Sequence, residues 1–173
     1  MYIEHIKNSI RNVPDFPKPG IQFKDITTLL QDTNVFQETI DIFYQQFKDK
    51  EIEAVVGIES RGFIFAAPLA LKLGCRFVLA RKSGKLPGET IAEEYDLEYG
   101  TDSIEMHKDA INDGDCVLIV DDLLATGGTA RAVGKLVNTL KGKIFSYCFL
   151  IYLKELNGLD ILLPESVFYL IDY

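Results

Sequence analysis

Two adjacent acids, Asp121 and Asp122, follow the apolar run Val117-Leu118-Ile119-Val120 and lead into Leu123-Leu124-Ala125-Thr126-Gly127-Gly128-Thr129. The apolar run reads as a buried strand that delivers both carboxylates to its carboxyl end. The small-residue loop then opens a helix whose free amides and dipole favour a phosphate. Gly127 and Gly128 let the backbone approach a ligand, and Thr126 and Thr129 offer hydroxyls. The carboxylates suit ribose hydroxyls and a hydrated Mg²⁺, which takes oxygen ligands. The plainer alternative is a loop built only for tight packing and helix capping. Gly-Lys-Ser/Thr is missing from this loop, so it is not a Walker motif. Arg61, Arg81, Lys82 and Lys85 are the cations available for a further anionic group, or else an exposed basic patch.

The elements that must position these groups follow from periodicity. Ile3, Ile6 and Ile10 mark an N-terminal helix ending near Pro14, where Pro14-Asp15-Phe16-Pro17-Lys18-Pro19-Gly20 enforces a rigid, extended segment. Asp32 or Thr33 caps the next helix, whose Phe36, Ile40, Phe43 and Phe47 form a core stripe. Ala54 to Ile58 reads as a strand, followed by Glu59-Ser60-Arg61-Gly62 and a helix from Phe63 to Leu73 with Gly74 as its stop; Pro68 either kinks that helix or starts its regular part. Arg76 to Arg81 is a second core strand, and 82–94 lacks periodicity and reads as a long mobile loop. Tyr95 to Tyr99 and Ser103 to His107 form a hairpin. After the strand Cys116 to Val120, a helix carries Ala132, Val133, Leu136, Val137 and Leu140 on one side and stops at Gly142. Ile144 to Leu153 and Val167 to Ile171 complete the strands. This alternation specifies an α/β fold with a central, mainly parallel sheet flanked by helices.

With 173 residues, 47% apolar and 25% charged, the chain has the size and composition of a single domain over 1–173. The net charge of −8 opposes general nucleic-acid binding. Neither a signal peptide nor a membrane span is expected, which gives a cytoplasmic location. Cys75, Cys116 and Cys148 are odd in number and set among apolar residues, as reduced core thiols are.

The strand, acid pair and Thr-Gly-Gly-Thr loop resemble the signature of the type I phosphoribosyltransferases. Further segments resemble the adenine-using branch of that family across nearly the whole chain: 14–26 (Pro-Asp-Phe-Pro-Lys-Pro-Gly-Ile-Gln-Phe-Lys-Asp-Ile), 59–63 (Glu-Ser-Arg-Gly-Phe), 81–88 (Arg-Lys-Ser-Gly-Lys-Leu-Pro-Gly) and 97–100 (Leu-Glu-Tyr-Gly). The resemblance implies the type I phosphoribosyltransferase fold, with a small N-terminal hood over about 1–35 and a flexible catalytic loop at 82–94. It implies transfer of phosphoribosyl from 5-phosphoribosyl-1-pyrophosphate (PRPP) to adenine N9, giving AMP and pyrophosphate, with Mg²⁺ on the donor. By the same resemblance Ala125, Thr126, Gly127, Gly128 and Thr129 hold the 5′-phosphate, and Asp121 and Asp122 hold the ribose. Phe23 stacks on the base while backbone groups near Gln22 read its edge, with Lys24 beside them, and Glu98 serves N7. Arg61, Arg81, Lys82 and Lys85 meet the pyrophosphate, which leaves with negative charge as the ribose gains positive charge. A homodimer is implied as well.

Two positions depart from the pattern: Lys24 stands where many members have arginine, and Tyr152 where several have glutamate. Another purine base, or a PRPP-sensing regulator without catalysis, are the competing readings. The thirteen residues before Pro14 are too few for a DNA-binding domain.

Overall fold

The computed structural model describes residues 2–97 and 100–173. The chain divides into two compact units, Met1–Gln46 and Phe47–Tyr173. The first holds α1 (Tyr2–Asn8), β1 (Arg11–Pro14), β2 (Gln22–Asp25), α2 (Thr27–Gln31) and most of α3 (Thr33–Phe47). α1 ends well before Pro14, because Arg11–Pro14 pairs antiparallel with Gln22–Asp25. The proline-rich segment is thus the loop of a two-stranded ribbon, closed by the Asp15 carboxylate accepting from the Gly20 amide at 2.7 Å. Asp32 caps α3, accepting from the Asn34 and Val35 amides at 3.0 and 3.2 Å. Val35, Ile40, Phe43 and Phe47 are buried along that helix.

The second unit contains β3 (Ala54–Ile58), α4 (Gly62–Leu73), β4 (Arg76–Lys82), β5 (Thr90–Leu97), β6 (Gly100–His107), β7 (Cys116–Leu124), α5 (Gly128–Thr139), β8 (Lys143–Tyr152), α6 (Gly158–Leu162) and β9 (Val167–Asp172). Its sheet runs β5-β6-β4-β3-β7-β8-β9, parallel from β4 to β9 and antiparallel where β6 meets β4 and β5. Alternation on β3 separates the two faces. Ala54, Val56 and Ile58 join Val133, Leu136 and Val137 of α5 in the core cluster, while Gly57 faces Phe63 and Ala66 of α4. All five residues of β3 are buried, as a strand covered on both faces must be.

Three readings change. The segment expected as a loop over 82–94 is shorter, because β4 runs through Lys82 and β5 begins at Thr90, its half-buried Ile91, Glu93 and Tyr95 alternating with exposed residues against β6. Pro68 does not start α4, since six helical residues precede it; it leaves the Ile64 carbonyl without an i+4 amide. After α5 the left-handed residue is Lys141, with φ of 65°, rather than Gly142. The three cysteines are free, with Cys148 buried and Cys75 and Cys116 half-buried.

Candidate active site

The connection after β3 leads to β4 on one side of it, while β7 lies on the other. The carboxyl ends of β3 and β7 therefore flank a topological switch point, where open α/β sheets leave a crevice for ligands. The Glu59–Gly62 turn leaves β3 here, and β7 brings Asp121 and Asp122 to the same end. The two elements touch: a Cβ on Gly62 would come within 2.8 Å of Asp121 Oδ1 and 2.9 Å of the Val120 carbonyl oxygen. Only glycine lets the turn lie against the acid pair.

Asp122 is 4% exposed. Arg61 Nε approaches its Oδ2 to 3.0 Å as an ion pair, yet that oxygen is buried and accepts no hydrogen bond. Asp121 Oδ1 accepts from the Asp122 amide at 2.8 Å. Burial first, and then the neighbouring Asp122 charge, push the Asp121 carboxyl well above its ordinary value. Burial also raises Asp122, against which the Arg61 guanidinium works. The pair is thus poorly solvated, with one cation between two acids.

Next along the chain, a cleft of about 90 Å³ is lined by Asp121, Ala125, Thr126, Gly127, Gly128, Thr129 and Phe149 among others. Gly127 has φ of 84°, the left-handed region that L side chains avoid. Its missing Cβ leaves room for Ile161 and for the Gly158 carbonyl oxygen. α5 begins at Gly128 with no side-chain cap, so its first-turn amides are available to an anion. The acid pair and loop of the sequence reading are brought together as expected.

The cations gather around acids the sequence reading had left without a role. The pairing of Ile58 with Ala80 sets Glu59 beside Arg81 and Lys82. The Glu59 side chain, 8% exposed, takes Lys85 Nζ at 2.5 Å and Arg81 Nη2 at 3.4 Å, and it accepts from the Lys82 amide at 2.9 Å. Burial works to raise its carboxyl, but Lys85, the Lys82 amide and Arg81 together hold it down at about 2. Glu105, buried between Ile104 and Met106, accepts from the Ser83 hydroxyl at 2.6 Å and the Gly84 amide at 3.1 Å. Lys82 Nζ lies 3.0 Å from Asp102. An acid within an apolar strand run was the one signal in the sequence that marked Glu105.

In the N-terminal unit, register places Phe23 opposite Val13 and Lys24 opposite Asn12. Phe23 therefore faces one side of the ribbon, and Gln22 and Lys24 share the other. Lys24 Nζ donates to Asn12 Oδ1 at 3.1 Å, and Asn12 Nδ2 to Gln22 Oε1 at 2.6 Å. The exposed Phe16 ring meets Phe23 edge-on at 5.1 Å. Glu98 lies outside the described residues.

A mainly parallel sheet with an acid pair and a glycine-rich helix start at its switch point defines a doubly wound α/β protein with a ligand crevice. The chain belongs to the phosphoribosyl transferase domain family, which it matches over residues 25–161. Curated relatives include the adenine phosphoribosyltransferase 1 of Triticum aestivum, 54% identical over 98% of this chain and 93% of that one. The adenine phosphoribosyltransferase of Geotalea daltonii is 53% identical over 99% of this chain and 100% of its own. Among solved structures, the adenine phosphoribosyltransferase of Thermoanaerobacter pseudethanolicus superposes with a TM-score of 0.96 at 49% identity, covering 99% of both chains. That of Saccharomyces cerevisiae, complexed with an imino-altritol bisphosphate and adenine, gives 0.93 at 42% identity over 98% of both.

Proposed function

We propose that this phosphoribosyltransferase moves the phosphoribosyl group of PRPP to N9 of adenine, forming AMP and pyrophosphate in purine salvage. The observation that carries the reading is the acid pair, Asp122 buried and Asp121 half-buried, leading into an uncapped, glycine-opened helix at the switch point. It offers ribose hydroxyls their acceptors and a 5′-phosphate its donors within one short segment. Adenine as the base follows from the relatives' names and from the 14–26 and 97–100 segments.

Asp121 and Asp122 accept from the ribose hydroxyls, and residues 125–129 hold the 5′-phosphate. Arg61, Arg81 and Lys85 take the pyrophosphate, which must draw them from Asp122 and Glu59. Phe23 stacks on the base, and Glu98 serves its N7. On the ribbon, the side chains of Gln22 and Lys24 face away from Phe23, so the Gln22 backbone is the part suited to read the base edge. The residues fit Mg²⁺: Asp122 Oδ2 is a buried carboxylate oxygen that accepts no hydrogen bond, and the pyrophosphate would draw away Arg61, its ion-pair partner at 3.0 Å. Among the described residues no three His, Cys, Asp or Glu side chains gather, which fits an ion held mainly by phosphate and water. When bound, Mg²⁺ would supply positive charge to the departing pyrophosphate. Among the described residues no helix is long and apolar enough to cross a membrane. A cytoplasmic homodimer completes the proposal.

The test is AMP formation from adenine, PRPP and Mg²⁺, beside hypoxanthine, guanine and xanthine. Turnover with adenine alone is expected. Turnover with another base would overturn the base assignment, and donor binding without any turnover would favour a sensor.

A further inference from the structure

Two of the cations assigned to pyrophosphate, Arg81 and Lys85, share the carboxylate of Glu59, a residue with no part in that assignment. Lys85 Nζ lies 2.5 Å from Glu59 Oε1, and Arg81 Nη2 lies 3.4 Å from the same oxygen. The second oxygen, Oε2, accepts from the Lys82 amide at 2.9 Å. With its side chain 8% exposed, Glu59 has little water to replace these contacts. Burial opposes its charge, but Lys85, the Lys82 amide and Arg81 keep it a carboxylate. An anion that draws Lys85 away therefore leaves a buried charge short of a partner, which is costly.

The backbone around Lys85 is pinned independently of that ion pair. Glu105 accepts from the Ser83 hydroxyl and the Gly84 amide. The Lys85 amide donates to the Lys82 carbonyl at 3.3 Å, and the Lys85 carbonyl accepts from Arg81 Nη1 at 3.3 Å. Further on, His107 Nε2 lies 2.7 Å from the Pro87 carbonyl oxygen. With both sides of Lys85 fixed, its side chain, 47% exposed, can pass from Glu59 to an anion by rotating its flexible stem. Arg81 is prepared as well, since its Nε is buried without an acceptor and remains a donor for an incoming group.

We propose that Glu59 is a positioning residue that competes with pyrophosphate for Lys85: it holds the ammonium before the donor binds, yields it to the bound pyrophosphate, and takes it back as that product leaves. The proposal rests on the pyrophosphate role given to Arg81 and Lys85. Pyrophosphate meets a cation already engaged, so its apparent affinity falls by the fraction of molecules in which Lys85 is available. Affinity for the donor is lowered and release of the product is eased, a step that limits turnover in many enzymes. Neutralising Glu59 therefore tightens pyrophosphate binding, the reverse of what damage to the turn would do.

The experiment is calorimetric binding of inorganic pyrophosphate with Mg²⁺ to the wild type, Glu59→Gln, Lys85→Met and Glu59→Gln/Lys85→Met. Glu59→Gln removes the charge and keeps an acceptor for the Lys82 amide. Replacing a charged partner of Lys85 by a neutral one tightens pyrophosphate binding by roughly 3–20-fold, with slower dissociation and a matching fall in its product-inhibition constant. Lys85→Met binds pyrophosphate at least about 3-fold more weakly than the wild type. In that background Glu59→Gln has an effect below about 2-fold, Arg81 being the more distant partner. AMP, which lacks the pyrophosphate, binds Glu59→Gln within about 2-fold of the wild type. Should Glu59→Gln fail to fold, Glu59→Asp, whose carboxylate is drawn back from Lys85, shifts pyrophosphate binding in the same direction. Unchanged or weaker pyrophosphate binding in the Glu59 variants, while Lys85→Met still weakens it, would overturn the competition and leave the pyrophosphate role of Lys85 intact. Equal tightening in both backgrounds, or equal tightening of AMP, would mark a general charge effect and overturn it too. Pyrophosphate binding indifferent to Lys85→Met would overturn both the competition and the assigned role.

Discussion

Replacing Gly127 by alanine separates the two duties of the phosphate loop. At φ of 84° an alanine pays roughly 1–2 kcal/mol of backbone strain. Its Cβ would also overlap Ile161 Cγ2 and come within 2.7 Å of the Gly158 carbonyl oxygen. The carbonyl has little room to retreat, because Gly158 is itself packed on the Ala125 carbonyl oxygen. Overpacking of this kind adds about 1–3 kcal/mol, so the total is about 2–5 kcal/mol. For a chain of this size the melting temperature falls on the order of 4–20 °C. Gly127→Ala should also raise the KM for PRPP, because the loop shifts. Gly128→Ala is the matched control. Its Cβ meets only the Asp96 carbonyl oxygen at 3.5 Å and the Tyr95 ring at 3.9 Å, ordinary contacts, so its melting temperature stays within about 2 °C. A methyl at the first turn of α5 nevertheless keeps phosphate from the amides and raises the donor KM roughly 10–100-fold. Thermal unfolding and initial rates on both variants decide the matter. A Gly127→Ala protein that melts with the wild type and keeps its donor KM would refute the reasoning.

Other outcomes follow from the same geometry. Because the folded Asp121 carboxyl titrates above its ordinary value of 3.8, its ionised form costs stability, increasingly so as pH rises from there towards the folded value. Asp121→Asn should therefore melt higher than wild type at pH 7, by about 2–4 °C per kcal/mol relieved, and lose that advantage near pH 3. The same variant weakens PRPP binding roughly 10–150-fold, the worth of hydrogen bonds to a charged group, and unchanged calorimetric affinity would count against the ribose role. Glu59, held at about 2 against an ordinary 4.5, has the opposite sign: its contribution is complete above about pH 4.5 and disappears as pH falls through about 2. The melting difference between wild type and Glu59→Gln should shrink over that range, and a constant difference would exclude the titration. Lys85→Ala should lower kcat by about tenfold or more while leaving adenine KM within about twofold; equal losses in both would mean that the turn held by Glu59 has collapsed.

The parts legible in the sequence were those fixed by local pattern. β3, the apolar half of β7, the Asp32 cap and the buried side of α5 each carry their own signal in burial periodicity or a capping side chain. The acid pair's place at the end of β7 and the glycine loop ahead of α5 were legible for the same reason, since strand, carboxylates, glycines and helix start lie within one contiguous segment. The hairpin partner of β6 was legible from Tyr95 onward, but the first half of β5, Thr90 to Glu94, was not, because it is a polar edge segment whose order comes from its register with β6. Glu59 and Glu105 were visible as residues, but their roles were not. Each becomes the anchor of a basic turn only when β3, β4 and β6 align, through Ile58 with Ala80 and Arg81 with Glu105. Lys24 was grouped with Phe23 by adjacency in sequence, whereas on the ribbon adjacent side chains point to opposite faces.

The placement of β3 between β4 and β7 also sets a timetable. Val56 pairs with Ile119, so β3 is made long before its second neighbour exists. At about 5–20 residues per second, synthesis of β7 lags by several seconds. During that interval the most apolar strand of the sheet has one open side, and neither acid of the pair has been made. A nascent chain stalled before residue 116 offers that bare edge to chaperones or to other chains. The arrival of β7 closes the edge and delivers the carboxylates in one event, so the acid pair takes its place at the sheet's carboxyl end only once the vulnerable stage of biogenesis has passed.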